Sequence, residues 1–166
     1  MKIPEGVSLQ VVDGKIIASG PKGSVEKTFD ARTASVEVQD GVVSVRAVVS
    51  ERRRTSASVN AIAAHIRNML AGVSQGFEKK LQVVYAHFPM SIEVKGTEVL
   101  IKNFLGEKSP RAADVLPGVQ VKVDKQEIIV SGANRESVGQ TAANIVQAVR
   151  ITNRDKRVFQ DGIYVA

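Results

Sequence analysis

Val7, Leu9 and Val11 fall on every second position, Asp13-Gly14 follows, and Lys15-Ile16-Ile17-Ala18 resumes the apolar run. A period of two predicts strands, and an Asp-Gly step between them predicts a tight hairpin. The same design returns at once, with Val36 and Val38 alternating ahead of Asp40-Gly41 and Val43 and Val45 behind it. The spacing then changes. Val59, Ile62, Ala63, Ile66, Met69, Leu70 and Val73 lie three or four apart, one apolar stripe of a helix. Thr55 stands where an N-cap is expected and Gly72 where a left-handed stop is expected. A strand over Leu81 to Tyr85, closing at Phe88-Pro89, completes the order.

After Pro89 the order begins again. Ile92 and Val94, a turn at Lys95 to Glu98, and Val99-Leu100-Ile101 predict one hairpin; Val119, Val121 and Val123, a turn at Asp124 to Glu127, and Ile128 to Val130 predict another. Laying Val59 on Val138 puts Ile62 on Thr141, Ala63 on Ala142, Ile66 on Ile145 and Leu70 on Val149, and the capping Thr55 on Asn134. Every stripe position so aligned stays apolar except Thr141. The pattern predicts an α+β chain of two tandem similar modules, residues 1–86 and 87–166. Each is expected to be an antiparallel sheet with one helix packed on one face, the product of an internal duplication.

Composition changes this picture by exclusion. Among 166 residues there is no cysteine and there are two histidines, which removes disulfides, thiolate nucleophiles and the common structural zinc sites. His65 lies off the apolar stripe and His87 has no second ligand at metal spacing; both read as surface or structural residues. The carboxylates are scattered through turns and polar strand faces, with no pair aimed at one substrate. Gly106-Glu107-Lys108-Ser109 lacks the phosphate-loop core and its upstream glycine. Gly20-Pro21-Lys22-Gly23 has the spacing of a KH clamp, but it follows a strand rather than joining two helices, and a simple turn is expected. No enzyme, no metal and no cofactor are expected. No apolar leader or membrane span is visible, so the expected setting is the cytoplasm, with no membrane partner.

Charge adds a partner. The formal net charge is +6, an excess that suits a polyanion. Arg52, Arg53 and Arg54 stand ahead of the first helix, where planar guanidinium groups and free helix N–H groups together suit phosphate; an exposed loop is expected there. A second set, Arg150, Arg154, Lys156 and Arg157, precedes the apolar tail Val158 to Val165, which is expected to dock rather than hang free. With seven aromatic residues and none clustered on central strands, contact with the phosphate backbone is expected rather than base reading.

Four phrases carry a resemblance: AAHIRNMLAGVSQGF, VVYAHFPM, IKNFLGEKSPR and RDKRVFQDGIYV. In them the chain resembles the large-subunit ribosomal protein six family in its archaeal and eukaryotic form. The resemblance implies a structural role: binding large-subunit rRNA near the sarcin-ricin region, beside the site of the translational GTPase factors, with the second module as principal contact. Carried onto this sequence the pattern covers Asn103 to Arg111, the loop Ser131 to Arg135 before the second helix and Arg154 to Arg157, which adds Lys108, Arg111 and Arg135 to the arginine set; Lys102, next to the first of these segments, is counted with them. It also implies neighbouring ribosomal proteins as partners and no self-association in the ribosome. The glycine- and lysine-rich ending of bacterial members is replaced here by Arg154 to Phe159, so bacterial tail contacts do not carry over. The alternative is a protein–protein interaction module of a ribonucleoprotein, its sheets offering edges to neighbours.

Overall fold

The computed structural model describes residues 1–39, 41–48, 53–86, 88–155 and 157–166, with the side chains of residues 53–55 outside the description. Its contacts divide the chain into two compact units, Met1–Gly76 with Ala133–Arg135, and Phe77–Gly132 with Glu136–Ala166.

In the first unit, β1 (Ser8–Val12), β2 (Lys15–Gly20) and β3 (Gly23–Thr28) form one antiparallel sheet. β4 (Ala34–Gln39) and β5 (Val42–Ala47) form a separate hairpin. The Asp13-Gly14 turn has φ of 45° and 76°, the left-handed pair that a two-residue hairpin demands. α1 (Arg53–Ser74) packs on both sheets, burying Ile62, Ile66, Met69, Leu70 and Val73 against Ile16, Ala18 and Val43. The stripe read from the sequence is the buried face. The helix ends differ from expectation. α1 starts at Arg53, so Thr55 lies inside the first turn, and it runs past Gly72 to Ser74, with Gly76 (φ 82°) taking the left-handed position. The Gly72 carbonyl accepts the Gly76 N–H at 2.9 Å, a last helical bond before the chain turns away.

The Gly20–Gly23 stretch is the β2–β3 turn, as expected of a simple turn. It also closes α1: the Lys22 N–H donates to the Val73 carbonyl at 3.0 Å, satisfying one of the orphan acceptors at a helix end. Gly20 is required by that approach, because a Cβ there would lie 2.7 Å from the Val73 carbonyl oxygen. β3 itself was not expected, since Ser24 to Phe29 mixes polar and charged residues; it is an edge strand in which Val25 alone is buried.

In the second unit, β7 (Ser91–Lys95), β8 (Glu98–Lys102) and β9 (Arg111–Asp114) form a three-stranded antiparallel sheet. A four-stranded sheet has the order β10 (Val119–Asp124), β11 (Glu127–Gly132), β6 (Phe77–Val84), β12 (Gly162–Val165), all antiparallel. α2 (Arg135–Ala148) buries Val138, Thr141, Ala142 and Ile145 in a core with Leu81, Val99, Ile101, Phe104, Ile128, Val130 and Ile163. Asn134 stands immediately ahead of it, where the sequence placed a cap.

Two expectations are corrected. Each unit carries two sheets with its helix, not one. The strand expected to close the first module, β6, is an inner strand of the second unit, pairing Glu127↔Gln82 and Ile128↔Leu81 on one side and Ile163↔Val83 on the other. The tail does dock, as β12. Its approach is fixed by Asp161, buried at 1% exposure, which accepts the Ala86 N–H at 2.9 Å.

Thr141, the polar residue in the second apolar stripe, is fully buried, and its hydroxyl accepts the Leu116 N–H at 3.2 Å. Thr141→Val keeps the shape and strands that amide, so a loss of about 1–3 kcal/mol is expected in urea unfolding, whereas Ile62→Val at the matching position costs about 0.5–1.5.

Candidate nucleic-acid interface

The chain between β8 and β9 is built from unusual backbone. Asn103 (φ 62°), Leu105 (φ 52°) and Gly106 (φ 77°) are all left-handed around a 3-10 turn, Phe104–Gly106. The Asn103 side-chain amide holds the Pro89 carbonyl at 2.9 Å, and the Phe88 ring lies 3.5 Å from where a Gly106 Cβ would stand. Phe104 is buried at 1% exposure and anchors the turn in the core. Glu107 and exposed Lys108 follow on its outer side.

Arg111 ties this turn to the end of α2. Its Nε and Nη2 donate to the two Glu107 carboxylate oxygens at 2.9 and 2.7 Å, and its Nη1 donates to the Ala148 and Arg150 carbonyls at 2.9 and 3.2 Å. The guanidinium also lies 4.4 Å from the Phe104 ring centre. α2 has no basic residue in its last turn, so Arg111 supplies from another element the cation that helix C-termini favour. Hydrogen bonding from Arg111 lowers the Glu107 pKa; partial burial opposes this, and the charges of Arg111 and then Arg154 lower it further. A carboxyl lowered in the folded state contributes its stability above its unfolded pKa and loses it as the pH falls through the folded value. The Glu107–Arg111 clamp therefore persists through neutral pH and opens in acid.

The sequence-predicted cations divide into groups. Arg111 lies at the C-terminal end of α2 on the Ala148 and Arg150 carbonyls, exposed Lys108 and Arg150 are next in the chain to Glu107 and Val149, and Arg154 lies 4.9 Å from the Phe159 ring centre with its charge acting on Glu107. Arg157 follows in the same tail, fully in solvent but paired with Asp155 at 2.9 Å, which lowers the Asp155 pKa and raises its own. Lys102 is paired with Glu93 at 2.6 Å. Arg135 opens α2, at its opposite end, about 20 Å away by the helical rise. It donates to the Asn68 side chain at 3.1 Å and groups with the first unit. Arg53 and Arg54 lie in the first turn of α1 rather than on a loop ahead of it, with no acidic residue there; Arg52 and Lys156 lie outside the described residues, as does His87.

Sequence reasoning missed the supporting parts. Glu107, Phe104 and Phe159 orient the arginines, and nothing in a linear pattern marks them. It also missed Lys80 and Lys122, both exposed, which flank Ile129 on the outward face of the four-stranded sheet; the alternation of β6 and β10 could have found them.

Among the described residues no cluster of three or more potential metal ligands occurs, and no helix is long and apolar enough to cross a membrane. Two of the described cations are oriented by their surroundings, Arg111 by Glu107, the helix-end carbonyls and the Phe104 ring, and Arg154 by the Phe159 ring. The ribosomal protein L6 family model matches residues 3–76 and again 88–162. The chain is 50% identical over 165 residues to the large ribosomal subunit protein uL6 of Methanosarcina mazei, covering 99% of this chain and 93% of that one. It is 46% identical to the protein of that name in Ignicoccus hospitalis (98% and 90% covered) and 44% to that of Aeropyrum pernix (99% and 91%). The chain belongs to the ribosomal protein L6 family, a structural, non-enzymatic component of the large subunit in the cytoplasm, of the archaeal type.

The Arg111 geometry gives a test of its own. Arg111→Lys keeps the charge and loses the fork, the helix-end carbonyls and the ring stack. A loss of about 1–3 kcal/mol in unfolding free energy is expected, with RNA affinity reduced and the salt slope of binding unchanged. Reduced affinity with unchanged stability would mean that Arg111 meets the RNA directly.

Proposed function

We propose that the chain binds large-subunit rRNA near the sarcin-ricin region, beside the translational GTPase factor site, by neutralising phosphates and fitting backbone shape. The observation that carries this is the Arg111 clamp at the end of α2, with Arg154 held over the Phe159 ring and its charge acting on Glu107, and with Lys108 and Arg150 in the chain beside the clamp. A cation already held over a ring, as Arg154 is, costs little ordering entropy when phosphate arrives. Arg157 and Lys156 continue the set in the tail sequence, while Lys102, engaged with Glu93, and Arg135, engaged with Asn68 at the far end of α2, act as separate contacts. Neighbouring ribosomal proteins complete the surroundings, and the chain acts as a single copy. The experiment is a nuclease-protection assay of large-subunit rRNA with and without the chain; protection confined to regions away from the factor site would refute the placement.

Arg52, Arg53 and Arg54 form a second electrostatic anchor. Cations at a helix N-terminus oppose the macrodipole, so this cluster costs α1 stability unless an anion is present. Replacing all three with alanine is expected to stabilise the free chain by up to about 0.3–1 kcal/mol per first-turn arginine. In the same variant the log–log salt slope of RNA binding falls by up to about 2.7 units. A stabilised chain with an unchanged slope would leave the triplet as solvated charge.

A further inference from the structure

The end of α2 and the tail that runs into β12 leave a cavity of about 280 Å³ between them, lined from the second unit alone. Its floor is apolar apart from one carboxylate: Val149, Ile151 and Ile163 are buried there with Asp161, which accepts the Ala86 N–H at 2.9 Å. Half-buried Val146 and Phe159 form the walls, and exposed Gln147, Arg150 and Tyr164 stand at the rim. The volume falls just below the roughly 300–1,000 Å³ of pockets that enclose whole small ligands. There is room for one flat ring system and none for a helix.

Two aromatic rings are held in place at this cavity. The Tyr164 hydroxyl donates to the Gln160 carbonyl at 3.0 Å, and its ring packs on Gly162, where a Cβ would stand 3.2 Å from it. Phe159 carries the Arg154 guanidinium 4.9 Å from its ring centre. The sequence shows no aromatic cluster on a central strand; the fold brings these two, five positions apart in the tail, to one opening. The charges are sorted by depth. Arg150 and Arg154 are exposed and make no ion pair with a described residue, whereas the carboxylate lies at the floor. An anion is favoured at the mouth and opposed inside, and the interior suits a flat, uncharged group.

We propose that the cavity takes one unstacked base of the large-subunit rRNA, its face against the Phe159 and Tyr164 rings and the phosphate of the same nucleotide at Arg150. A nucleotide carries a flat ring and an anion one sugar apart, which is the sequence of environments from floor to rim. An apolar side chain of a protein would fill the floor and leave the two arginines unanswered. The Gln147 amide at the rim offers a donor and an acceptor to the base edge. Stacking on a ring accepts any base, so the site holds a base without reading it. The inference rests on the rRNA reading and adds a base contact to its phosphate contacts.

The test uses the full chain and large-subunit rRNA transcribed in vitro. Val146→Phe fills the cavity from its wall and Tyr164→Leu removes a ring from its rim; urea unfolding checks that each variant folds. Affinity at fixed salt is expected to fall about five- to a hundredfold in each. The log–log salt slope stays at the wild-type value, because no phosphate contact is lost. In parallel, large subunits carrying Gln147→p-benzoylphenylalanine are irradiated, and an adduct destroyed by ribonuclease is expected. Wild-type affinity in both folded variants, with a steep slope kept, overturns the base pocket alone and leaves the phosphate reading standing; a wild-type chain without salt-dependent rRNA binding overturns both. A ribonuclease-resistant adduct to another polypeptide overturns the proposal in favour of a protein side chain in the cavity.

Discussion

A fragment of residues 88–166, which spans the whole second family repeat, is expected to be unfolded, whereas residues 77–166 fold. The difference is β6. That strand lies between β11 and β12, six residues paired with the first and four with the second. Without it β12 has no partner and the sheet loses Leu81 and Val83, both at 3% exposure or less. Emptying even one such site by truncation to alanine costs about 2–5 kcal/mol, and two together with the pairing approach the entire 5–15 kcal/mol that holds a domain. The longer fragment restores both and also the Ala86 N–H that Asp161 needs. Far-UV circular dichroism and urea unfolding of the two fragments check this: a cooperative transition in residues 88–166 would show that β6 is dispensable.

Adjacency in sequence pointed β6 toward the first module. Leu81, Val83 and their neighbours announce a strand by period alone, and the structure has it there. Which sheet takes the strand is a long-range matter that no local pattern encodes, and the rule that consecutive elements pack together favoured the wrong one. The hairpin at Asp13-Gly14 was legible because its turn requires particular residues and the one at Lys125-Gln126 from the alternation flanking it, and both α1 and α2 bury the stripe that their spacing marked. β3 and β9 were not, because edge strands with one buried residue each carry little alternation. Of the candidate interface, the charges could be read and their engagements could not: nothing in the string IKNFLGEKSPR says that Arg111 closes a helix end while Lys108 three residues earlier stays exposed. The one polar residue of the second stripe, Thr141, was visible as an exception, and only the position of Leu116 explains it.

Reversing Arg154, Lys156 and Arg157 to glutamate is expected to reduce incorporation into large subunits more than reversing Arg52, Arg53 and Arg54. Charge counting points the other way. Residues 1–87 carry 12 basic and 8 acidic side chains and residues 88–166 carry 11 and 9, so the first half has the greater excess. Position decides against it. Arg154 is stacked on Phe159, and its charge acts on Glu107 beside the Arg111 clamp, so at least this tail cation is presented from an oriented position. Arg157 is the weakest of the three, since phosphate must compete with Asp155 for its guanidinium. Both triple reversals change the chain by the same six charges, which removes net charge as an explanation of any difference. If all three tail cations meet phosphate, the salt slope of RNA binding falls by about 2–3 units. Because Arg157→Glu sets a second carboxylate against Asp155, an Arg154→Glu, Lys156→Glu double variant is measured alongside, so that local repulsion in the tail is separated from lost phosphate contact. Greater loss for the Arg52–Arg54 variant at the same salt would make the N-terminal end of α1 the main anchor and the tail the secondary one.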